Sequence, residues 1–405
     1  MSGQQQIKIV SDSIGSRLTI DSKPFFVKGM NWDYFPVGSN YAYSLWRQPD
    51  EVIRTALHRE MTLLKQMGVN VIRQYSSIPP KWIKYIYEKY GIYTMINHSF
   101  GRYGLVVNGT DYRNTNYCKE EIIADLLKET EDFVNIYKDT PGVLLYLLGN
   151  ENNYGLFWDG AETEDFPASQ PPEGGASARC MYELFNEAAR RIKVIDPSHP
   201  VAFCNGDLQF LDIIATTCRD VDIFGVNSYR GDSFDELFQD VKDKYGKPLL
   251  LTEFGADAFN AVTLQESQSE QASILLSNWQ ELYMNAAGNG ASGNCLGGFT
   301  FQFSDGWWKY GQDKNLDIHD THASWSNGGY RFDFVKGQNN MNEEWFGICA
   351  KGKPDKNGLY RLSPRKAYYV LRNVHRLDPY SESLASLKQQ FNTIREHLKI
   401  QKTNR

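Results

Sequence analysis

Short, uniformly apolar runs alternate with longer segments whose apolar residues recur at three- and four-residue spacing. The first run is Phe25–Asn31. Pro49 and Asp50 then open a helix carrying Val52, Ile53, Ala56, Leu57, Leu63, Leu64 and Met67, which Gly68 stops. Val69–Arg73 predicts a second strand with a helix from Pro79 to Tyr90, and Ile92–Ile96 a third with a helix from about Lys119 to Lys138. Val143–Leu148 predicts the fourth strand, followed by a helix from Ser177 to Ile195. The cycle continues through Pro200–Phe203, Val221–Val226, Pro248–Thr252 and Gly297–Phe303, with a last barrel helix from Pro364 to Arg372. Eight βα units without a Gly/Ser/Pro linker predict a single α/β domain, a (β/α)8 barrel. The alternative, an open doubly wound sheet, usually stops at about five to seven strands. The expected organisation is a short N-terminal segment capping the barrel (1–24), the barrel (25–379), and a C-terminal helix and tail (380–405). The loops after strands four and eight, 154–177 and 305–347, are enlarged.

Polar residues gather where each strand runs out: Asn31 and Asp33, Arg73 and Gln74, Asn97 and His98, Asn150 and Glu151, Asn205 and Asp207, Asn227 and Tyr229, Glu253, Gln302 and Asp305. In an α/β barrel those ends face the active site. Loop-start residues are polar in any protein, but that accounts for one or two positions, not eight. Glu151 and Glu253 stand out, each directly after an apolar run, where burial is costly without a charge-stabilising role. Strands four and seven lie nearly opposite across a closed barrel, so the two side chains converge on one pocket. Two carboxylates flanking a bond are what glycoside hydrolysis needs.

The stretches Leu148-Gly-Asn-Glu151 and Leu251-Thr-Glu-Phe-Gly255 resemble the acid/base and nucleophile motifs of clan A glycoside hydrolases. The closest likeness is to the barrel domain of the family 2 enzymes, of β-galactosidase, β-glucuronidase and β-mannosidase type. Val69–Arg73, Asp222–Tyr229, Gly298–Asp305 with Trp307-Trp308, and Ser363–Tyr368 resemble further segments of that domain, so the resemblance covers most of the chain. It implies Glu151 as general acid and then base, and Glu253 as nucleophile of a retaining double displacement. Arg73 would pair its charge with Glu253 or form a purely structural ion pair at the barrel mouth. Tyr229 would donate to Glu253, and Asn150 would hold the sugar 2-hydroxyl. Asn227, Asp33 and Asp305 join the expected substrate-binding or supporting set, with Trp158, Trp307 and Trp308 as stacking surfaces. His98 is either a sugar hydrogen-bonding residue or a satisfied rim histidine. Family 2 enzymes carry β-sandwich domains ahead of the barrel, whereas Ile7 to Ile20 leaves room here for a short hairpin. A stand-alone barrel also resembles cellulase-like endoglycosidases and fungal-type β-1,3-glucanosyltransferases. The expected substrate is therefore a β-linked glucan or other β-linked oligo- or polysaccharide, with transfer to a sugar acceptor as the alternative to hydrolysis.

Composition narrows the remaining classes. With 43 Lys plus Arg against 49 Asp plus Glu and no basic block, nucleic-acid binding is not expected. No run approaches the ~18 apolar residues of a membrane span. The start of the chain lacks a signal-peptide pattern, so a cytoplasmic protein is expected; removal of a leader would leave the same sequence and make Asn108-Gly-Thr110 a glycan acceptor. Six scattered cysteines without a CxxC fit buried free thiols better than a disulfide framework. No cofactor or metal is expected. Asp317–His322 holds two histidines at i, i+3 but reads as a cleft-lining loop, and Gly288–Gly293 follows a helix, the reverse of a dinucleotide-binding context. A metal-dependent hydrolase would need His and Asp at several strand ends, and a non-catalytic carbohydrate-binding barrel would need neither glutamate. The oligomeric state is not legible. Aromatic residues reach 14% of the chain and concentrate partly in the two enlarged loops, where a sugar chain would lie.

Overall fold

The computed structural model describes residues 5–403, except 76, 108–109, 113, 157–173, 291, 309–311 and 322–340. Eight strands form the barrel: β1 (Val27–Asn31), β2 (Val71–Gln74), β3 (Tyr93–His98), β4 (Val143–Leu148), β5 (Val201–Gly206), β6 (Ile223–Asn227), β7 (Leu249–Phe254) and β8 (Cys295–Thr300). They pair in chain order, every neighbour parallel, and β8 closes on β1. Outside lie α1 (Asp50–Met67), α2 (Pro80–Tyr90), α3 (Glu120–Tyr137), α4 (Gly174–Ile195), α5 (Leu211–Thr217), α6 (Leu237–Lys244), α7 (Gln268–Met284) and α8 (Lys366–Val374), with α9 (Leu384–Thr403) last. This is the (β/α)8 architecture that the sequence predicts.

The apolar runs become strands because both faces are buried. Alternate side chains separate: Val71, Met95, Leu145, Ala202, Ile223, Leu250 and Phe299 fill the barrel, while Ile72, Ile96, Tyr146, Phe203, Phe224 and Leu251 pack against the helices. The interior is thus a packed core. Helix α1 shows how the outer layer is set. Asp50 and Glu51 occupy its positive end, Ile53, Ala56, Leu57, Met61 and Leu64 form the buried stripe, and Gly68 at φ 89° caps the carbonyls of Leu64 and Lys65. Strand β8 stops at Thr300, short of the expected Phe303. Pro364 closes a short strand, Leu362–Pro364, paired with Cys349–Lys351, so α8 begins at Lys366.

The hairpin Ile7–Asp12/Gly15–Ile20 sends Ile7, Leu18 and Ile20 into the cluster that holds Val27, Val71 and Tyr93 at the starts of their strands. Helix α9 buries Leu387, Phe391, Ile394 and Leu398, with Phe391 edge-on to Tyr283 of α7 at 5.4 Å. Among the described residues no helix is long and apolar enough to cross a membrane.

The cysteines correct the expectation of free thiols alone. Cys118 and Cys180 form a disulfide, while Cys204, Cys218, Cys295 and Cys349 are free and buried. The partners are 62 positions apart in sequence, yet their Cα atoms lie 5.2 Å apart. One precedes α3 and the other lies in α4, and consecutive helices of a barrel are neighbours.

Candidate active site

Strand parity brings the first groups together. Arg73 and Tyr75 share one face of the chain leaving β2, and Asn97 of β3 continues the inward face of Tyr93 and Met95. Arg73 is fully buried. Its Nε and Nη2 donate to Asn97 Oδ1 at 3.1 and 2.9 Å, Nη2 also to Asn150 Oδ1 at 2.8 Å, and Nη1 to the Thr252 carbonyl at 3.1 Å.

Two irregularities place the glutamates. In the β6–β7 ladder Val226 pairs with Leu251 but Asn227 with Glu253, so one residue of β7 is skipped. The bulge lets the adjacent Thr252 and Glu253 both point inward, where strict alternation would send one to the helices. At the end of β4 the chain turns through Gly149 at φ 74°, where a Cβ would lie 2.5 Å from Asn152 Oδ1. Glu151 itself sits at φ 55°, a conformation L-residues rarely adopt, and its N–H is tied to the Cys204 carbonyl at 3.0 Å.

Glu253 accepts three hydrogen bonds. Arg73 Nη1 donates to Oε1 at 2.9 Å, the Tyr75 hydroxyl donates to the same oxygen, and the Tyr229 hydroxyl donates to Oε2 at 2.9 Å. The Arg73 guanidinium also lies 4.5 Å from the Tyr75 ring centre. Glu151 Oε1 instead receives one neutral donor, Asn227 Nδ2, at 3.0 Å. Burial, and after it the negative charge of Glu253, pushes the Glu151 carboxyl up to about 7, against Arg102, the Asn227 hydrogen bond and Arg73. Asp33 is also pushed up to about 7, chiefly by burial, with a hydrogen bond to Gln74 and the charges of Lys351 and Arg73 opposing. Asn150 is fixed on both sides: its Oδ1 accepts from Arg73 and from Asn227 Nδ2 at 3.1 Å, and its Nδ2 donates to the Tyr103 hydroxyl at 3.0 Å.

Arg73, Asn150, Glu151, Asn227, Tyr229 and Glu253 therefore meet in one network, with Asp33 beside it. Other expected residues fall elsewhere. His98 does not face the pocket: the residue after inward Asn97 points outward, so its ring packs on Phe133 of α3 at 5.2 Å and its Nδ1 accepts from Phe100 N–H at 3.2 Å. Burial there lowers its pKa to about 4. Asp305 is held by Arg365 in a buried bidentate pair of 2.6 and 2.8 Å, which occupies both oxygens. Trp307 stacks on His319 at 4.5 Å, and His319 on Trp345 at 3.7 Å; Trp308 meets Phe35 edge-on at 5.3 Å. Trp158 and His322 lie outside the described residues. Among the described residues no group of three His, Cys, Asp or Glu is arranged to hold a metal.

Sequence reasoning missed Tyr75, Thr252 and Tyr103 as members of the site, and set Asn97 at a strand end without a role. For Tyr75 and Asn97 the signal was present, since i, i+2 parity from Arg73 and from Met95 marks both as inward. Thr252 depends on the bulge and Tyr103 on a loop conformation, and neither is written in local periodicity.

A family model described as glycosyl hydrolases family 2, TIM barrel domain, matches residues 15–286. No curated protein matches the chain in sequence. Among solved structures, a β-galacturonidase from Eisenbergiella tayi bound to galacturonate is similar at 17% identity and TM-score 0.55, over 93% of this chain and 54% of that one. The β-D-glucuronidase of Dictyoglomus thermophilum gives 17% identity, the same coverages and TM-score 0.55. Bacteroides uniformis β-glucuronidase 2, covalently bound to a cyclophellitol-6-carboxylate aziridine, gives 13% identity and TM-score 0.59, over 92% of this chain and 37% of that one. The chain thus spans about half or less of the length of these structures, and at such identities the likeness establishes the fold.

Proposed function

Because the chain belongs to the TIM-barrel domain family of glycosyl hydrolases family 2, we propose that it is a retaining β-glycoside hydrolase acting on a β-linked oligo- or polysaccharide. The observation that carries this reading is the contrast between two carboxyls in one pocket. Glu253 accepts from a guanidinium and two phenols, whereas Glu151 has one amide donor and is held up to about 7. Environments that separate two carboxyls in this way assign one as nucleophile and the other as acid.

Glu253 attacks the anomeric carbon while Glu151 gives its proton to the leaving oxygen, forming a covalent glycosyl-enzyme. Glu151, now ionised, takes a proton from water or from a sugar hydroxyl as that oxygen attacks the anomeric carbon and breaks its bond to Glu253, which frees the sugar with its configuration retained. Hydrolysis and transfer therefore use the same two groups. Asn150 stands beside Glu151 to meet the 2-hydroxyl, and Asp33 supplies a further hydrogen-bonding group. Trp307 and Trp308, in the segment after β8, would add apolar surface for sugar rings.

The test is turnover of a panel of aryl β-glycosides (glucoside, galactoside, mannoside and glucuronide) by wild type, Glu253→Gln and Glu151→Gln. The reading expects Glu253→Gln to abolish turnover, and Glu151→Gln to lose about 10²–10⁴-fold on leaving groups that need protonation. Unchanged turnover by Glu253→Gln would sink it.

A further inference from the structure

Among the described residues, Asn227 is the neutral side chain that bridges to the acid, and its usefulness depends on which way its amide faces. Its Nδ2 donates to Glu151 Oε1 at 3.0 Å and to Asn150 Oδ1 at 3.1 Å. With the amide reversed, its oxygen would face two other oxygens, and its nitrogen would face a guanidinium. Those neighbours exclude the reversed amide, and a further contact fixes its place. The Thr252 hydroxyl donates to Asn227 Oδ1 at 2.7 Å, the shortest contact that this oxygen makes. Cys204 Sγ lies 3.1 Å from the same oxygen and 3.2 Å from Thr252 Oγ1, while Arg73 Nη1 reaches Asn227 Oδ1 at 3.5 Å. Thr252, Asn227 and Cys204 are all buried, so water does not substitute for a lost partner.

We propose that Thr252 is a positioning residue for the acid/base: its hydroxyl locks the Asn227 amide so that the amide nitrogen holds Glu151 Oε1, which leaves the second oxygen of Glu151 to carry the proton toward the leaving group. This deepens, and rests on, the assignment of Glu151 as acid. Thr252 precedes the nucleophile in sequence but serves the opposite carboxyl, through the bulge that turns both residues of β7 inward. Removing the hydroxyl without changing shape, as in Thr252→Val, takes away the shortest contact of the amide and lets it shift off Glu151. Glu151 then loses both its fixed rotamer and a hydrogen bond that favours its charged form.

The experiment compares wild type, Thr252→Val, Thr252→Ala and Thr252→Ser on the glycoside that the wild type accepts. Each is assayed with a dinitrophenyl leaving group, which departs without protonation, and with an alkyl leaving group, which needs it. Thr252→Val and Thr252→Ala are expected to lose about tenfold or more in kcat/KM on the alkyl glycoside and less than about threefold on the dinitrophenyl one. The alkaline limb of the pH profile should move upward, and Thr252→Ser should restore both. Equal loss on the two leaving groups with an unmoved pH limb would overturn the proposal, since that is what disturbance of neighbouring Glu253 produces; so would wild-type behaviour of both Thr252→Val and Thr252→Ala. Thr252→Ala serves if the valine variant does not fold. Full activity of Glu151→Gln on the alkyl glycoside would instead defeat the assignment of the acid, so the two failures are separable.

Discussion

At the scale of single residues, the site is a set of donors distributed unequally between two acids. Arg73, Tyr75 and Tyr229 serve Glu253, whereas Glu151 accepts from the neutral Asn227 amide and is pushed up by burial and by the charge of its partner. As the proposed acid, Glu151 must be protonated, so kcat/KM is expected to fall as pH rises through about 7. In Glu151→Gln that alkaline limb should vanish, and a limb that survives the substitution would belong to another group. The same shift bears on stability. The folded pKa lies above the ordinary carboxyl value, so the folded state holds more protons than the unfolded chain between the two values, and stability falls as pH rises across that window. Relative to wild type, Glu151→Gln should therefore melt higher at pH 8 than at pH 5, which a pair of thermal scans checks. The residues themselves were legible to the extent that parity was followed. Glu151, Glu253, Arg73, Asn150, Asn227 and Tyr229 end apolar runs and meet in the structure. His98 also ends a run but follows inward Asn97, so it belongs to the helix layer, and Asp305 is spent on Arg365, a partner 60 positions away.

At the scale of elements, local departures from ideal geometry aim the chemistry. The skipped residue in β7 and the turn at Gly149 interrupt otherwise regular strands, and each delivers a glutamate. Periodicity finds the strands, because burial on both faces demands apolar runs, but a bulge leaves no mark on it. Strand and helix positions were therefore readable to within a few residues, while the neighbours Thr252 and Tyr103 were not. Gly149→Ala tests the turn. The added Cβ meets Asn152 Oδ1 at 2.5 Å in a backbone conformation that disfavours side chains. A stability loss of about 1–3 kcal/mol is expected, together with a drop in kcat/KM, because Glu151, the proposed acid, is two residues on. Denaturant melts and kinetics report both; a variant of wild-type stability and activity would show that the turn does not need glycine.

At the scale of the whole molecule, the barrel brings distant segments together, which is why the order of strand-end residues revealed the architecture while the cysteine spacing concealed a bond. The Cys118–Cys180 link encloses β4 and Glu151 in a loop of 62 residues, for which chain entropy predicts about 4 kcal/mol of stabilisation. Cys118→Ser with Cys180→Ser should lower Tm, and reductant should bring the wild type to the same value; insensitivity to both would remove the disulfide from the account. Such bonds persist in oxidising surroundings, so the cysteines no longer argue for a cytoplasmic protein. The fold and the pairing of two opposed carboxyls support the proposed double displacement. Its most direct test is the anomer of the glycosyl azide formed when azide rescues Glu253→Ala and Glu151→Ala, read by NMR. With Glu253 as nucleophile and Glu151 as acid/base, azide replaces the missing nucleophile in the first variant and gives the inverted α-azide. In the second it attacks the glycosyl-enzyme and gives the β-azide. The same anomer from both variants, or the two exchanged, would contradict the assignment.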